Sequence, residues 1–432
     1  MRSGETAHLD VQSLTLDGEG VGRVGDHELR CRGAFPGERA DVRIVAVSRH
    51  HPRAHARLVA VAQPHPARRK PPCPNQERRE GRCTGCPIMD LDEAAQRDVK
   101  RTMLASFGLE VARVEPAPRA LGYRFSSKRV VGTRRGRLQL GSYAFGTHDF
   151  APMPGCLVDH PRLVRAFDRV EEGARALGIA PYDEATGEGD LRYVWAKTNG
   201  DEVIVTLVSA REHGHTRALA DWLEDTAAGV LESVQPSRGN ALRGGPARLL
   251  RGKPELTLSL LDQPLEVGAL GFVQPNPAVA AACYEALTTL ADGAPRTLAF
   301  DLYAGAGVTT RLLARTFGEV VPCEAHPESA RALGGEAESV EAFLGRTLAL
   351  PSRRTPDLVI ANPPRKGLGT AVCASLRALA APALHVMSCG PEGLARDLAA
   401  LSDRYEVRSL EAFDTLPQTP HVELVAKLAL RG

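Results

Sequence analysis

The rhythm of apolar and polar positions changes twice along this chain of 432 residues. From Ala7 to Val61 short alternating runs are broken by Gly18, Gly20, Gly22, Gly25, Gly33 and Gly37, which predicts a small antiparallel barrel. Asp90 to Phe107 repeats at helical spacing and stops at Gly108, and Leu121 to Phe145 returns to strands. His160 to Leu177 reads as a helix, Leu191 to Ala210 as alternating strands, and Thr216 to Leu231 as another helix. After Gly271 the texture becomes α/β. A helix over Ala278 to Leu290 leads into TLAFDLYAGAGVTTRLLA, which reads as a buried strand, a Gly-rich turn and a helix. EVVPCEAH and PDLVIANPPRKGL supply two further strands. In LHVMSCGPEGLARD a strand ends at Ser388, a turn covers Gly390 to Gly393 and a helix runs from Leu394 to Leu401. The length calls for two or three domains. The pattern places their boundaries so that 1–66 is the barrel, 67–267 a central α+β domain and 268–432 an α/β domain.

A hydrophobic content of 43% and a charged content of 25% are those of a soluble globular protein. No apolar run approaches a membrane span, and Met1 to Glu5 leads into no signal-peptide core, so a cytoplasmic protein without a membrane partner is expected. The net charge of +2 hides local bias. Between Tyr123 and Gly141 lie Arg124, Lys128, Arg129, Arg134, Arg135 and Arg137 with no acidic residue, which suits phosphate contacts or a solvated face. Arg43, Arg49, His50, His51, Arg53 and Arg57 incline the barrel toward nucleic acid. No protein partner is legible, and a monomer is the default.

Nine cysteines in a reducing compartment argue against disulfides. Cys73, Cys83 and Cys86, with Cys156 further on, form a set that suits a [4Fe-4S] cluster, a zinc ion or unligated thiols. Three clustered ligands and one distant ligand fit the cluster better than the paired spacing of structural zinc. Cys31, Cys283, Cys323 and Cys373 read as structural.

The candidate chemistry lies in the α/β part. Asp301, Gly305 and Gly307 form a turn that lets backbone approach a ligand at a helix amino terminus. Glu324 ends the next strand, where a carboxylate can accept both ribose hydroxyls or simply face solvent. The turn lacks the triple-glycine pyrophosphate pattern and any P-loop lysine, so a nucleoside without a pyrophosphate fits, which points to S-adenosylmethionine. Asn362-Pro363-Pro364 is found in methyltransferases acting on exocyclic amines, but Arg365 and Lys366 follow here in place of a stacking aromatic residue. Cys389 ends a strand beside a helix start, a place that suits a reactive thiolate or a buried structural thiol.

Leu16 to Ile44, with its Gly33 to Glu38 turn GAFPGE, resembles the TRAM domain, an OB-like barrel attached to RNA-modifying enzymes. FVQPNP with Gln274, DLYAGAG, NPPRKG, SCGPEGLARD and the terminal HVEL together resemble the RNA uracil-5-methyltransferase family, in its ribosomal-RNA branch with a TRAM domain and a [4Fe-4S] cluster. The resemblance runs nearly end to end. It implies a Rossmann-like C-terminal domain, an S-adenosylmethionine pocket lined by Gln274, Tyr303, Glu324 and Asn362, and cluster ligation by Cys73, Cys83, Cys86 and Cys156. It also implies that Cys389 is the nucleophile and Glu423 the base in methylation of a uridine in 23S ribosomal RNA. A uridine in transfer RNA is the alternative substrate, and an RNA-binding assembly factor without turnover is the alternative class. Three positions depart from the family: the Cys73–Cys83 spacing is long, Asn362 stands where Asp is common, and Val308 stands where Asn is common.

Overall fold

The computed structural model describes residues 1–76, 82–238 and 244–432. The chain gathers into two compact units, one of Met1–Arg68, Asp92–Pro118 and Ala278–Gly432, the other of Arg69–Leu91 and Arg119–Pro277.

The first unit holds two sheets. One has six strands in the order Thr6–Asp10, Arg39–Val47, Arg53–Gln63, His27–Arg32, Glu19–Val24 and Ser13–Leu14. It is mixed, not wholly antiparallel as the alternation suggests, because His27–Arg32 pairs in parallel with Arg53–Gln63. Parallel neighbours need a crossover, and the strand Arg39–Val47 provides it. The GAFPGE turn is closed by Glu38, whose carboxylate accepts Phe35 N at 2.9 Å and His65 N at 3.0 Å and pairs with Arg68 Nε at 2.6 Å. Burial opposes its ionisation, yet Arg68 and the backbone donors hold its pKa below the usual value.

The other sheet runs Glu319–Cys323, Leu298–Leu302, Leu358–Ala361, Ala383–Ser388, Glu423–Leu430, Tyr405–Phe413, Val114–Glu115. The first four strands are parallel, and Glu423–Leu430 is antiparallel to both its neighbours. Leu298–Leu302 and Leu358–Ala361 are buried at every residue, as expected where a sheet is covered on both faces. The chain leaves Leu298–Leu302 first to one side and then to the other. That creates a switch point at the carboxyl ends of the strands, where ligands bind in open α/β sheets.

The second unit has a seven-stranded sheet, Phe150–Pro152, Arg137–Tyr143, Ser126–Arg134, Leu191–Thr198, Val203–Ser209, Gly229–Val234, Arg248–Gly252, with residues of the helices Pro161–Ala176 and Gly214–Trp222 in its core. The second of these helices stops well before Leu231. Gly229–Val234 is instead a strand parallel to Val203–Ser209, because its apolar residues are buried between two neighbouring strands. Among the described residues, no helix is long and apolar enough to cross a membrane.

Candidate active site

The Gly-rich turn follows Leu298–Leu302 and begins with Tyr303 at φ 62°, a left-handed conformation that costs a residue with a Cβ of order 1 kcal/mol and collects at functional sites. Gly307, at φ 76°, caps the short helix Val308–Leu313, and a Cβ there would run into Leu333. Gly305 N–H donates to Glu324 Oε2 at 2.8 Å, and His326 N–H donates to Oε1 at 2.7 Å. An ionised carboxylate offers about four acceptor sites. Two therefore remain for a pair of ribose hydroxyls, which fits a nucleoside at this strand end. Asp301 braces the turn: fully buried, it accepts Thr309 Oγ1 at 2.8 Å and Thr310 Oγ1 at 2.6 Å, tying the helix to the strand. Burial pushes its pKa up to about 6 against the pull of the two hydroxyls. Asn362 directly follows Leu358–Ala361, and its N–H donates to Leu302 O at 3.3 Å, which brings it to the same crevice.

Cys389 directly follows the strand Ala383–Ser388, and Glu423 opens the strand Glu423–Leu430. Their antiparallel pairs run from Ala383↔Ala429 to Ser388↔Leu424. One more step on that ladder sets Cys389 against Glu423. The helix after Cys389 is Pro391–Leu401, capped by Gly390, so it starts earlier than Leu394 because proline at the first helical position sacrifices no hydrogen bond. The Cys389 thiol is not acidic in this setting. Burial, and then Glu423, push the Cys389 thiol's pKa up, while the Arg365 guanidinium pulls the other way. Burial likewise pushes Glu423 up to about 8, with Arg365 opposing.

This shift has a testable consequence. An ordinary glutamate loses its proton near pH 4.5, whereas the folded Glu423 holds it to about 8. Ionisation is thus opposed only in the folded state, and stability falls as pH rises through that window. Glu423→Gln should raise Tm over the native chain progressively between pH 5 and 8, on the order of that window, while activity is lost. An equal Tm difference at both ends of a pH-dependent melting series would refute the shift.

The NPPRKG loop is pinned against the helix after Cys389. Asp397, nearly buried, accepts Leu368 N at 2.7 Å and Gly369 N at 3.1 Å. Gly390 and Gly393 lie under the Arg365 carbonyl, which a Cβ at Gly390 would strike. Sequence reasoning assigned no role to Arg365 or Asp397. The signal was the glycine pair spaced to pass under a loop, which becomes readable only once the loop is placed.

In the second unit, Gln274 follows the segment 268–271, whose carbonyls at Gly268, Ala269 and Gly271 accept the buried Lys197 Nζ at 2.5, 2.9 and 2.6 Å. Cys73, Cys83, Cys86 and Cys156 line one cavity together with Asn75 and Arg124. Burial, then the thiols of Cys156 and Cys83, push the Cys86 pKa up. Among the described residues no three His, Cys, Asp or Glu side chains stand close enough to hold a metal ion. Residues 77–81, in the long Cys73–Cys83 spacing, lie outside the described residues. The basic stretch is partly structural: Arg129 is buried in an ion pair with Asp159, and Arg124 faces the cysteine cavity. Cys31 and Cys283 are buried in hydrophobic clusters, whereas the buried Cys323 donates to Glu338 O at 3.5 Å and Cys373 lies beside Asp397.

The parallel strands, their switch point, the acceptor sites left on Glu324 and the thiol at the strand ends fit an S-adenosylmethionine-dependent α/β methyltransferase. The fold is that of the Pyrococcus abyssi tRNA (uracil-54, C5)-methyltransferase solved with S-adenosyl-L-homocysteine, with TM-score 0.77 at 23% identity over 98% of this chain and 100% of that one. Residues 351–430 match the family model described as tRNA (Uracil-5-)-methyltransferase. An RNA methyltransferase of Geobacter sulfurreducens is 30% identical over 99% of this chain and 90% of its own length. One of Halalkalibacterium halodurans is 27% identical over 100% and 98%. The chain belongs to the RNA uracil-5-methyltransferase family.

Proposed function

We propose that this enzyme methylates carbon 5 of one uridine in 23S ribosomal RNA through a covalent adduct on Cys389, with Glu423 as the base, acting in the cytoplasm as a monomer. The observation that carries the reading is the strand register that runs Cys389 against Glu423. Carbon 5 of uracil is too weak a nucleophile to attack a sulfonium methyl unaided. Cys389 gives up its thiol proton to solvent, its thiolate adds to carbon 6, and the ring becomes an enolate whose carbon 5 is nucleophilic. S-adenosylmethionine supplies the methyl group and leaves as the thioether. Glu423, ionised, then takes the carbon 5 proton, the C6–S bond breaks, and the thiolate is restored. Both ring faces must be reached, so the base leaves any stack it occupies.

In this reading Tyr303, Gly305, Gly307, Glu324 and Asn362 bind the cofactor. Residues 1–66 serve as a TRAM-like RNA-binding barrel, 67–267 carry a cluster, and 268–432 carry out methyl transfer. Cys73, Cys83, Cys86 and Cys156 would hold a [4Fe-4S] cluster; these four thiols line one cavity, although among the described residues their side chains are not gathered there as a metal-ion site. A transfer-RNA uridine is the second reading, favoured by the description of the matching family model.

Anaerobically purified enzyme should absorb broadly in the visible and should form 5-methyluridine, detected by mass spectrometry of digested nucleosides, in ribosomal rather than transfer RNA. A colourless, zinc-loaded protein would refute the cluster. Product only in transfer RNA would replace the ribosomal reading, and methylation of another atom would remove the uracil chemistry altogether.

A further inference from the structure

The helix Glu93–Ala105 carries two kinds of residue at four-residue spacing. Gln96 and Lys100 are buried, whereas Arg97 is half-buried and Arg101 exposed. Arg97 and Arg101 line a groove of about 400 Å³ together with Asp98, Arg113 and Glu115. Arg113 is committed to Glu115, with Nε to Oε1 at 2.6 Å. Among the described residues Arg97 and Arg101 have no ion-pair partner. The groove therefore presents two unneutralised guanidinium groups, one turn apart, in a concave and polar setting.

The sheet fixes where this groove lies. Val114–Glu115 pairs in parallel with the end of Tyr405–Phe413, Glu115 opposite Phe413, and Phe413 is itself opposite Glu423. Two strand spacings, roughly 10 Å, separate Glu115 from Glu423 along the sheet. Glu115, which lines the groove, thus lies at the end of the sheet that carries Cys389 and Glu423.

We propose that the Arg97–Arg101 groove holds backbone phosphates of the single-stranded RNA flanking the target uridine. This rests on the RNA-methylating reading of the same site. Guanidinium groups pair phosphates in bidentate fashion, and such contacts fix register without reading sequence. A groove two strands from the base receives the chain a nucleotide or two from the uridine that has left its stack. Asp98, exposed on the same groove, opposes an anion beside it and leaves the two arginines as the anion seats.

The test is equilibrium binding of a single-stranded RNA oligonucleotide containing the methylated site, as a function of salt, on the full chain. Neutralising one phosphate contact removes about 0.7 from the slope of log affinity against log salt for a single strand. Arg97→Gln/Arg101→Gln should lower the slope by about 1.4 and weaken binding at physiological salt, with S-adenosylmethionine affinity retained. The charge-matched variant Arg353→Gln/Arg404→Gln alters exposed residues before strand starts, at the opposite edge, and should keep the native slope. Equal slopes in the two double variants would overturn the groove. Failure of the native chain to form 5-methyluridine would count against the function instead, since the slope comparison needs no turnover.

Discussion

Cys389→Ala is expected to lower methyl transfer by at least about a thousand-fold, the usual scale for removing a covalent nucleophile, and to abolish a gel-stable complex with 5-fluorouracil-substituted RNA. Fluorine at carbon 5 cannot depart as a proton, so after methyl transfer the adduct has no exit and the native enzyme stays attached to its RNA. Cys389 is suited to this role by position more than by intrinsic acidity. Burial and Glu423 both disfavour its thiolate in the ligand-free protein, and Arg365 is the group that favours it. A cation beside two groups that both resist ionisation lets either one carry charge when the reaction demands it. Incubating both proteins with substituted RNA and S-adenosylmethionine on a denaturing gel decides the matter. A shifted band that survives the alanine substitution would place the nucleophile elsewhere.

Lys100→Met should destabilise the protein by about 3–5 kcal/mol, the cost of leaving a buried charge without its partner. Lys100 is fully buried and pairs with Asp414; its ammonium also donates to His421 O at 3.0 Å and Leu416 O at 3.4 Å. One turn earlier, Gln96 donates to Gln418 Oε1 at 2.7 Å and accepts Gln418 N–H at 2.9 Å. Gln418 sits at φ 72°, so these bonds hold a strained residue in place. Together they strap the segment 414–422, which lies between Phe413 and Glu423, to the helix Glu93–Ala105. Lys100→Met/Asp414→Leu should recover much of the lost stability, since neither charge is then stranded. Activity should stay low in the double variant because the Leu416 and His421 carbonyls still lack their donor. Chemical denaturation and turnover measured on all three proteins separate the two effects. A loss below about 1 kcal/mol for the single variant would show that the pair does not hold the segment.

Much of the candidate site was legible because it is local. DLYAGAG, NPPRKG and SCGPEG each join a strand end to the residues that follow, and hydrophobic period, glycine spacing and proline position all act within a dozen residues. The strand ending at Ser388 and the carboxylate at Glu324 lie where those patterns put them. The helix Glu93–Ala105 was likewise readable from its period, with Asp92 as its cap and Gly108 beyond its end. Where local pattern was ambiguous it misled. Val230 and Leu231 continue a helical period, and only the neighbouring strands make them part of a sheet.

The chain alone therefore determines which segments end at a reactive edge and which side chains they bring there. The tertiary structure decides what surrounds them. Asp301 reads only as part of the turn until Thr309 and Thr310 close on it, and Cys389 looks like an activated thiol until its burial is known. Lys100 and Asp414 lie 314 positions apart. No periodicity spans that distance, so their pairing is set by the packing of a helix against a distant loop. The groove of Arg97 and Arg101 arises in the same way, because a helix face acquires an electrostatic role only from the strand laid beside it. Short-range sterics and solvation are written residue by residue, whereas desolvation and charge pairing depend on which remote atoms displace water.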